Sequence, residues 1–163
     1  MQALVLPIFD YCDVVYGVNL TKKNAKIAQK VQNSCIRFAF SLKRRDHILP
    51  YLNDVNWLNM TRRRKLHLAC TIFKILQTKT PTYLYNRLQF RHDIHNYTTR
   101  HSKKLNLDRF SKSIFLSSFK AASAYCWNAL PPDATSCATY NSFKRAVTKV
   151  LLHEQGQIIS THD

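Results

Sequence analysis

An all-α fold is what this sequence predicts, and three observations predict it. Only two glycines occur in 163 residues, so few positions turn cheaply at positive φ, which disfavours a many-stranded sandwich or barrel. Apolar residues recur at helical rather than alternating spacing in several long stretches. At 45% apolar, a chain of one ordinary domain's length can bury roughly two thirds of its unfolded surface. The architecture expected is a small helical domain of about five helices with a long basic loop. Its divisions are a helical segment at 1–45, a second at 46–90, a basic linker at 91–112 and a C-terminal helical segment at 113–163.

Residues 1–16 carry Leu4, Val5, Ile8, Phe9, Cys12 and Val15 at mostly helical spacing. Pro7 predicts a kink or a restart, and Gly17 and Asn19 predict the end. The clearest helix runs from Thr21 to Arg45. At about 100° per residue, Ile27, Val31, Cys35, Phe38 and Leu42 gather on one arc, expected to be core. Lys22, Lys26, Lys30, Asn33 and Arg37 gather on the opposite arc, and no Asp or Glu lies between Val14 and Arg45 to neutralise them. Arg44, Arg45, Asp46, His47 and Pro50 predict a break, followed by a short apolar segment containing Tyr51, Leu52, Val55, Trp57 and Leu58.

A second long helix is expected from about residue 59 to 78. Leu66, Ala69, Cys70, Ile72, Phe73 and Leu76 form its buried arc, and Arg63, Arg64, His67, Thr71, Lys74 and Thr78 its outer one. The run Arg62, Arg63, Arg64, Lys65 falls in the first turn, where the helix dipole disfavours cations, so it reads equally as a site for an external anion or as a solvated charge run. Thr80 and Pro81 suit the cap and first turn of a short helix to about Leu88, with Tyr83, Leu84 and Leu88 inward. Residues 89–112 show no period and hold many cations, which reads as a flexible basic loop. Residues 113–119 form a short apolar run. Residues 120–130 then read as a helix with Ala121, Ala124, Tyr125, Trp127 and Leu130 inward, stopped by Pro131 and Pro132. Trp127 reads as a packing anchor. The last helix begins near Tyr140 with Phe143, Val147, Val150 and Leu151 on one face, and the tail from His153 is expected to fray.

Charge sets the functional class. A formal net charge of +16 and a pI near 10.0 make the molecule self-repelling unless a polyanion is close, nucleic acid first and an anionic membrane surface second. Five cysteines, odd in number and dispersed, read as reduced thiols in an intracellular protein, nuclear and cytoplasmic. The N-terminal stretch has no basic leader region and meets Pro7 and Asp10 too early for a signal peptide or membrane span. Met1 opens almost inside a hydrophobic element, which suggests that an upstream half is missing. Enzymatic signals are weak. There is no glycine-rich phosphate loop and no nucleophile with an ordered His and acid. Asp10 and Asp13 share a helix face, but two-metal chemistry needs a third carboxylate on a neighbouring element, so a capping or salt-bridging role near basic helices is expected of them. His92 and His95 lack a cysteine pair at zinc-site spacing. No metal or cofactor is expected.

Nine blocks in order then carry a resemblance: Ile8-Phe-Asp-Tyr-Cys12, Lys30-Val-Gln-Asn-Ser-Cys-Ile-Arg37, Arg44-Arg-Asp-His-Ile48, Trp57-Leu58, Lys65-Leu-His-Leu-Ala-Cys70, Tyr83-Leu84, Thr99-Arg-His101, Trp127-Asn-Ala-Leu-Pro131 and Ser142-Phe-Lys-Arg145. Together they resemble the C-terminal region of jockey-like and CR1-like non-LTR retrotransposon (LINE-type) reverse transcriptases. The resemblance implies that residues 1–45 correspond to the thumb, whose helices track a template–primer duplex, and the rest to the region after it. The palm motif of that RNA-directed DNA polymerase is missing, so no catalytic residue carries over and the chain alone is not expected to be an enzyme. What carries over is phosphate contact by Lys22, Lys26, Lys30 and Arg37. Arg44, Arg45, Arg62, Arg63, Arg64 and Lys65 make a second basic patch. The expected partners are RNA or an RNA–DNA hybrid, bound without sequence specificity, and the missing upstream polymerase domains, with no membrane. The alternative is an orphaned structural or protein-interaction remnant of the same polyprotein with no independent activity.

Overall fold

The computed structural model describes residues 2–94, 102–109 and 112–157. Among them are ten α-helices and two short 3-10 turns, with no strand and one isolated bridge between Phe90 and Leu105. The all-α expectation is met, but the helices are more numerous than expected, several of them a single turn long. The reason lies in the backbone. Cys12, Ser41, Asn56 and Lys79 all adopt positive φ, between 52° and 56°, whereas neither glycine does. Non-glycine residues therefore interrupt the helical runs at a cost of roughly 1–2 kcal/mol each, which tertiary packing must offset. Scarcity of glycine did not keep the chain out of the left-handed region.

The chain forms two compact units, one of Met1–Leu66 with Thr148–Asp163 and one of His67–Val147. In the first, α1 spans Gln2–Asp10 and runs through Pro7 without the expected restart. It stops three residues later, where Cys12 turns left-handed ahead of α2, Asp13–Tyr16. The Tyr16 hydroxyl donates to the Phe9 carbonyl at 2.6 Å and ties the two pieces together. A 3-10 turn at Gly17–Asn19 leads to α3, Lys22–Ala39. Thr21 Oγ1 caps α3 by accepting from the Asn24 amide at 3.3 Å, and positive φ at Ser41 ends the run short of Arg45.

The rotation of α3 overturns one sequence expectation. Its buried residues are Ala28, Gln32 and Ile36, whereas Ile27 is 50%, Val31 39% and Phe38 80% exposed. Cys35 is half-buried, and of the expected core arc Leu42 alone joins a core cluster, packing on Ile36, Ile48 and Leu52 beside α4, Leu49–Asp54. Small Ala28 lets α1 close in, so that Leu6, Ala28 and Met60 form a second cluster with Phe9 against it. Gln32 can face inward because its amide is satisfied on both sides. Its Nε2 donates to the Leu58 carbonyl at 2.9 Å and its Oε1 accepts from Gln29 Nε2 at 2.8 Å.

Amides also organise the start of α5, Met60–Thr78. Asn59 Oδ1 accepts from the Arg62 amide at 2.9 Å, Gln29 Oε1 from Met60 and Gln155 Oε1 from Asn59, both also at 2.9 Å. Neutral carboxamides thus fill the donors that a helix N-terminus leaves open. Gln155 lies in α10, Tyr140–Gln157, and is fully buried, so residues 153–157 are helical rather than frayed as expected, and the rest of the expected tail lies outside the described residues.

In the second unit the α5 face follows expectation. Ala69, Cys70, Ile72 and Phe73 are buried, and Leu68 and Ile75 widen the arc. The short α6, Thr82–Tyr85, is capped at Pro81 rather than Thr80 and leaves Tyr83 69% exposed, so Leu88 alone of the expected trio is fully buried. The expected flexible loop is anchored where it is described. After α7, Arg91–Ile94, Leu105 is buried and exchanges two hydrogen bonds with Asn128, its amide donating at 2.8 Å and its carbonyl accepting at 3.0 Å. His95, Arg100 and His101 lie outside the described residues. A 3-10 turn at Ser113–Ser117 precedes α8, Phe119–Asn128, which buries Ala121, Ala124 and Trp127 but leaves Tyr125 half exposed. After α9, Pro132–Thr135, Phe143 of α10 stacks between Phe73, with centroids 4.3 Å apart, and Trp127, at 5.9 Å. Trp127 is the packing anchor its setting implied.

Candidate nucleic-acid interface

The basic surface is built on the outer side of α3. Once Ala28, Gln32 and Ile36 fix the helix rotation, Lys22, Lys26 and Lys30 stand exposed, and Asn33 and Arg37 lie at the edge of the packed face. Beyond Ala39 the chain turns at Ser41. Asp46 Oδ2 accepts from the Lys43 amide at 2.7 Å, which closes a tight loop and fixes where Arg44 and Arg45 emerge.

Helix and loop together bound a cleft of about 1050 Å³ within the first unit. Its cationic lining comes from Lys26, Arg37 and Arg45, with His47 beside them, and its floor from Ile48, Pro50 and Leu52. Asp46 is the carboxylate in the lining, and one of its oxygens is already held by the loop. Arg37 Nε is buried and meets no hydrogen-bond acceptor among the described residues. Arg62 Nε and Arg64 Nε are buried without an acceptor in the same way, so what distinguishes Arg37 is its place in the cleft lining, where a planar donor fork matches phosphate geometry. Amide and hydroxyl groups of Gln29, Asn33, Asn59 and Thr61 add neutral polar atoms to the walls.

The structure thus brings Lys26, Arg37 and Arg45 to one cleft, with Lys22 on the same helix face and Arg44 exposed on the loop. Lys30 lies on a different groove of α3. The second patch fares differently. Arg63 forms a two-pronged pair with Asp10, Nε to Oδ1 at 2.6 Å and Nη2 to Oδ2 at 2.5 Å. Arg62 donates through Nη2 to the Glu154 carbonyl at 3.1 Å. Arg64 lays its aliphatic stem along Gly17, where an added Cβ would meet Arg64 Cδ at 3.1 Å. Three arginines of the run are therefore held within the fold, and Lys65 is its exposed member. The external anion that this helix start could have held is replaced by Asp10 and by the carboxamides described above.

Sequence reasoning missed His47, Gln29 and Asn59 in the cleft. No signal marked Gln29, because the sequence assigns the packed side of α3 to Ile27, Val31 and Phe38 rather than to Ala28, Gln32 and Ile36. No helix among the described residues is long and apolar enough to cross a membrane. No family model matches this chain, and no curated protein and no solved structure shows significant similarity to it.

Proposed function

We propose that this chain binds the sugar-phosphate backbone of RNA or an RNA–DNA hybrid without reading sequence, and performs no chemistry on it. Lys26, Arg37 and Arg45 in the cleft make the central contacts, and Lys22, Lys30 and Arg44 extend them along α3 and the loop. The observation that carries this reading is the cleft lining, in which Lys26, Arg37 and Arg45 face a single carboxylate, Asp46. The net charge of +16 supplies long-range attraction for the same partner. The ordered sequence blocks support placing the chain in the C-terminal, thumb-containing region of a non-LTR retrotransposon reverse transcriptase, where such a grip would hold template and primer. Fluorescence anisotropy with labelled single-stranded RNA and with a hybrid duplex, over a salt series, tests the reading. Binding should weaken steeply as salt rises, by roughly 10³-fold or more between 50 and 200 mM if six or more phosphates are neutralised. Salt-insensitive binding, or none, would overturn it.

A structural or protein-interaction role is favoured by a separate observation. Leu4, Ile8, Tyr11 and Val15 are 76%, 72%, 77% and 74% exposed, an apolar stripe that a soluble surface rarely carries. On this second reading, co-expression with the upstream polymerase domains would raise solubility and protect that stripe from surface labelling.

A further inference from the structure

On α3 the residues that sequence periodicity assigns to the core face outward. Ile27, Val31, Ser34 and Phe38 follow one another at intervals of four, three and four, the spacing of a coiled-coil seam, with Asn24 continuing it one step earlier. Ile27, Val31 and Phe38 are 50%, 39% and 80% exposed. Together with Lys30, Ser34 and Cys35 they line a shallow groove of about 400 Å³. The helix cannot roll to hide this seam. Ala28 and Ile36 are locked in core clusters, and Gln32 is hydrogen-bonded on both sides.

Charge and polarity select what covers it. Lys23 and Lys30 occupy successive flanking positions along one side of the seam, both exposed, and no Asp or Glu lies in α3. A second copy of this chain would bring another +16 and no carboxylate on the facing helix, so self-pairing is opposed. A lipid surface would satisfy the lysines but would press Asn24 and Ser34, polar members of the seam, toward hydrocarbon. A partner helix can hydrogen-bond both, and a polar residue in such a seam sets register. We propose that the α3 seam docks one amphipathic helix of another protein, with apolar residues at its seam positions and glutamate or aspartate at the flanking positions facing Lys23 and Lys30.

This surface shares no lining residue with the phosphate cleft, and although Lys30 is also assigned a peripheral phosphate contact, the two ideas are told apart by Val31 and Phe38 on one side and Lys26 and Arg45 on the other. The probe is a fluorescein-labelled synthetic helix of about three heptads with leucine in the seam and glutamate in the flanks, titrated with the full chain and read by anisotropy. Saturable binding is expected, weakened by at least about tenfold in Val31→Asn/Phe38→Ser, since each apolar side chain left unburied forfeits a large share of the contact. Both positions are exposed, so helicity by circular dichroism and RNA affinity should be unchanged. Lys23→Glu/Lys30→Glu should reject the glutamate helix and accept one carrying lysine in the flanks, and this charge exchange decides the matter even if the apolar variant unfolds. Equal binding of a composition-matched scrambled peptide would overturn the proposal. So would failure of the charge exchange, a Phe38-dependent dimer in sedimentation, or Phe38-dependent binding to phosphatidylserine vesicles in place of the peptide.

Discussion

Gln155 and Asn59 stand 96 residues apart in sequence, and the carboxamide oxygen of Gln155 accepts the Asn59 amide hydrogen at 2.9 Å. The same side chain donates through Nε2 to Asn53 Oδ1 and to the Trp57 carbonyl, both at 3.0 Å. One fully buried amide therefore joins the end of α10, the end of α4 and the start of α5 within the first unit. The last turns of α10 are held by hydrogen bonds that a propensity argument does not anticipate.

Gln155→Ala should destabilise the first unit strongly. It leaves the Asn59 amide, Asn53 Oδ1 and the Trp57 carbonyl without that partner in a part-buried site, and buried groups left this way cost about 1–3 kcal/mol each, less where water can reach them. Urea denaturation should show a loss of roughly 3 kcal/mol, with a smaller loss for Gln155→Asn only if the chain can shift to restore one bond. A loss below about 0.5 kcal/mol, the size of an ordinary surface substitution, would show that this amide does not organise the helix starts.

Arg63 and Arg45 are both arginines in basic runs, yet their roles should separate cleanly. Arg63 and Asp10 are about a quarter exposed and joined by two charge-assisted hydrogen bonds. Arg63→Gln should therefore cost roughly 1–3 kcal/mol of stability and leave RNA affinity nearly unchanged. Lys26→Gln and Arg45→Gln should do the reverse. Each should reduce the steepness of log affinity against log salt by about 0.7 on single-stranded RNA, with unfolding hardly altered. Anisotropy over a salt series and denaturation of the same three proteins check this. A flattened slope for Arg63→Gln alone would reassign the interface to the start of α5.

How much of this was legible in the sequence depends on which force decided each element. Helix α5 was readable in register because Ala69, Ile72 and Phe73 are buried by hydrophobicity, which periodicity reports directly. Phe143 and Trp127 were readable for the same reason. Helix α3 was misread by about a third of a turn, because its packed face holds Ala28 and Gln32 while the larger Ile27, Val31 and Phe38 point outward. Periodicity weighs side-chain hydrophobicity and cannot see that a glutamine will find the Leu58 carbonyl and a second glutamine waiting. The lysines were divided by that rotation, Lys26 lining the cleft with Arg37 and Arg45 and Lys30 the groove with Ile27, Val31 and Phe38. The salt-bridging role expected of Asp10 near basic helices is met by Arg63, 53 residues away, but sequence alone did not say which residue of the arginine run it would hold.

Cys70 gives the fold a measurable response to alkaline pH. Burial among α5 neighbours pushes its thiol above the usual cysteine range, against the opposing pull of a hydrogen bond from Tyr140 and of the Lys144 and Lys74 charges. Tyr140 is raised as well, chiefly by its own burial and then by the Cys70 thiolate charge and hydrogen bond. Both shifts have the same sign. The folded state holds these protons more tightly than the unfolded chain, so the stability they contribute is complete below the unfolded thiol value of about 8.5 and is lost as pH rises through the folded values. Denaturation curves should show a decline beginning near pH 8.5 that is shallower in Cys70→Ala, with the tyrosine component persisting at higher pH. Alkylation offers a second reading of the same shift. Cys12 is exposed and should react with iodoacetamide at pH 8 far faster than Cys70, as followed by peptide mass spectrometry. Equal rates at the two sites in the folded protein would mean that the packing around Cys70 opens on the timescale of the reaction and that burial does not hold its proton.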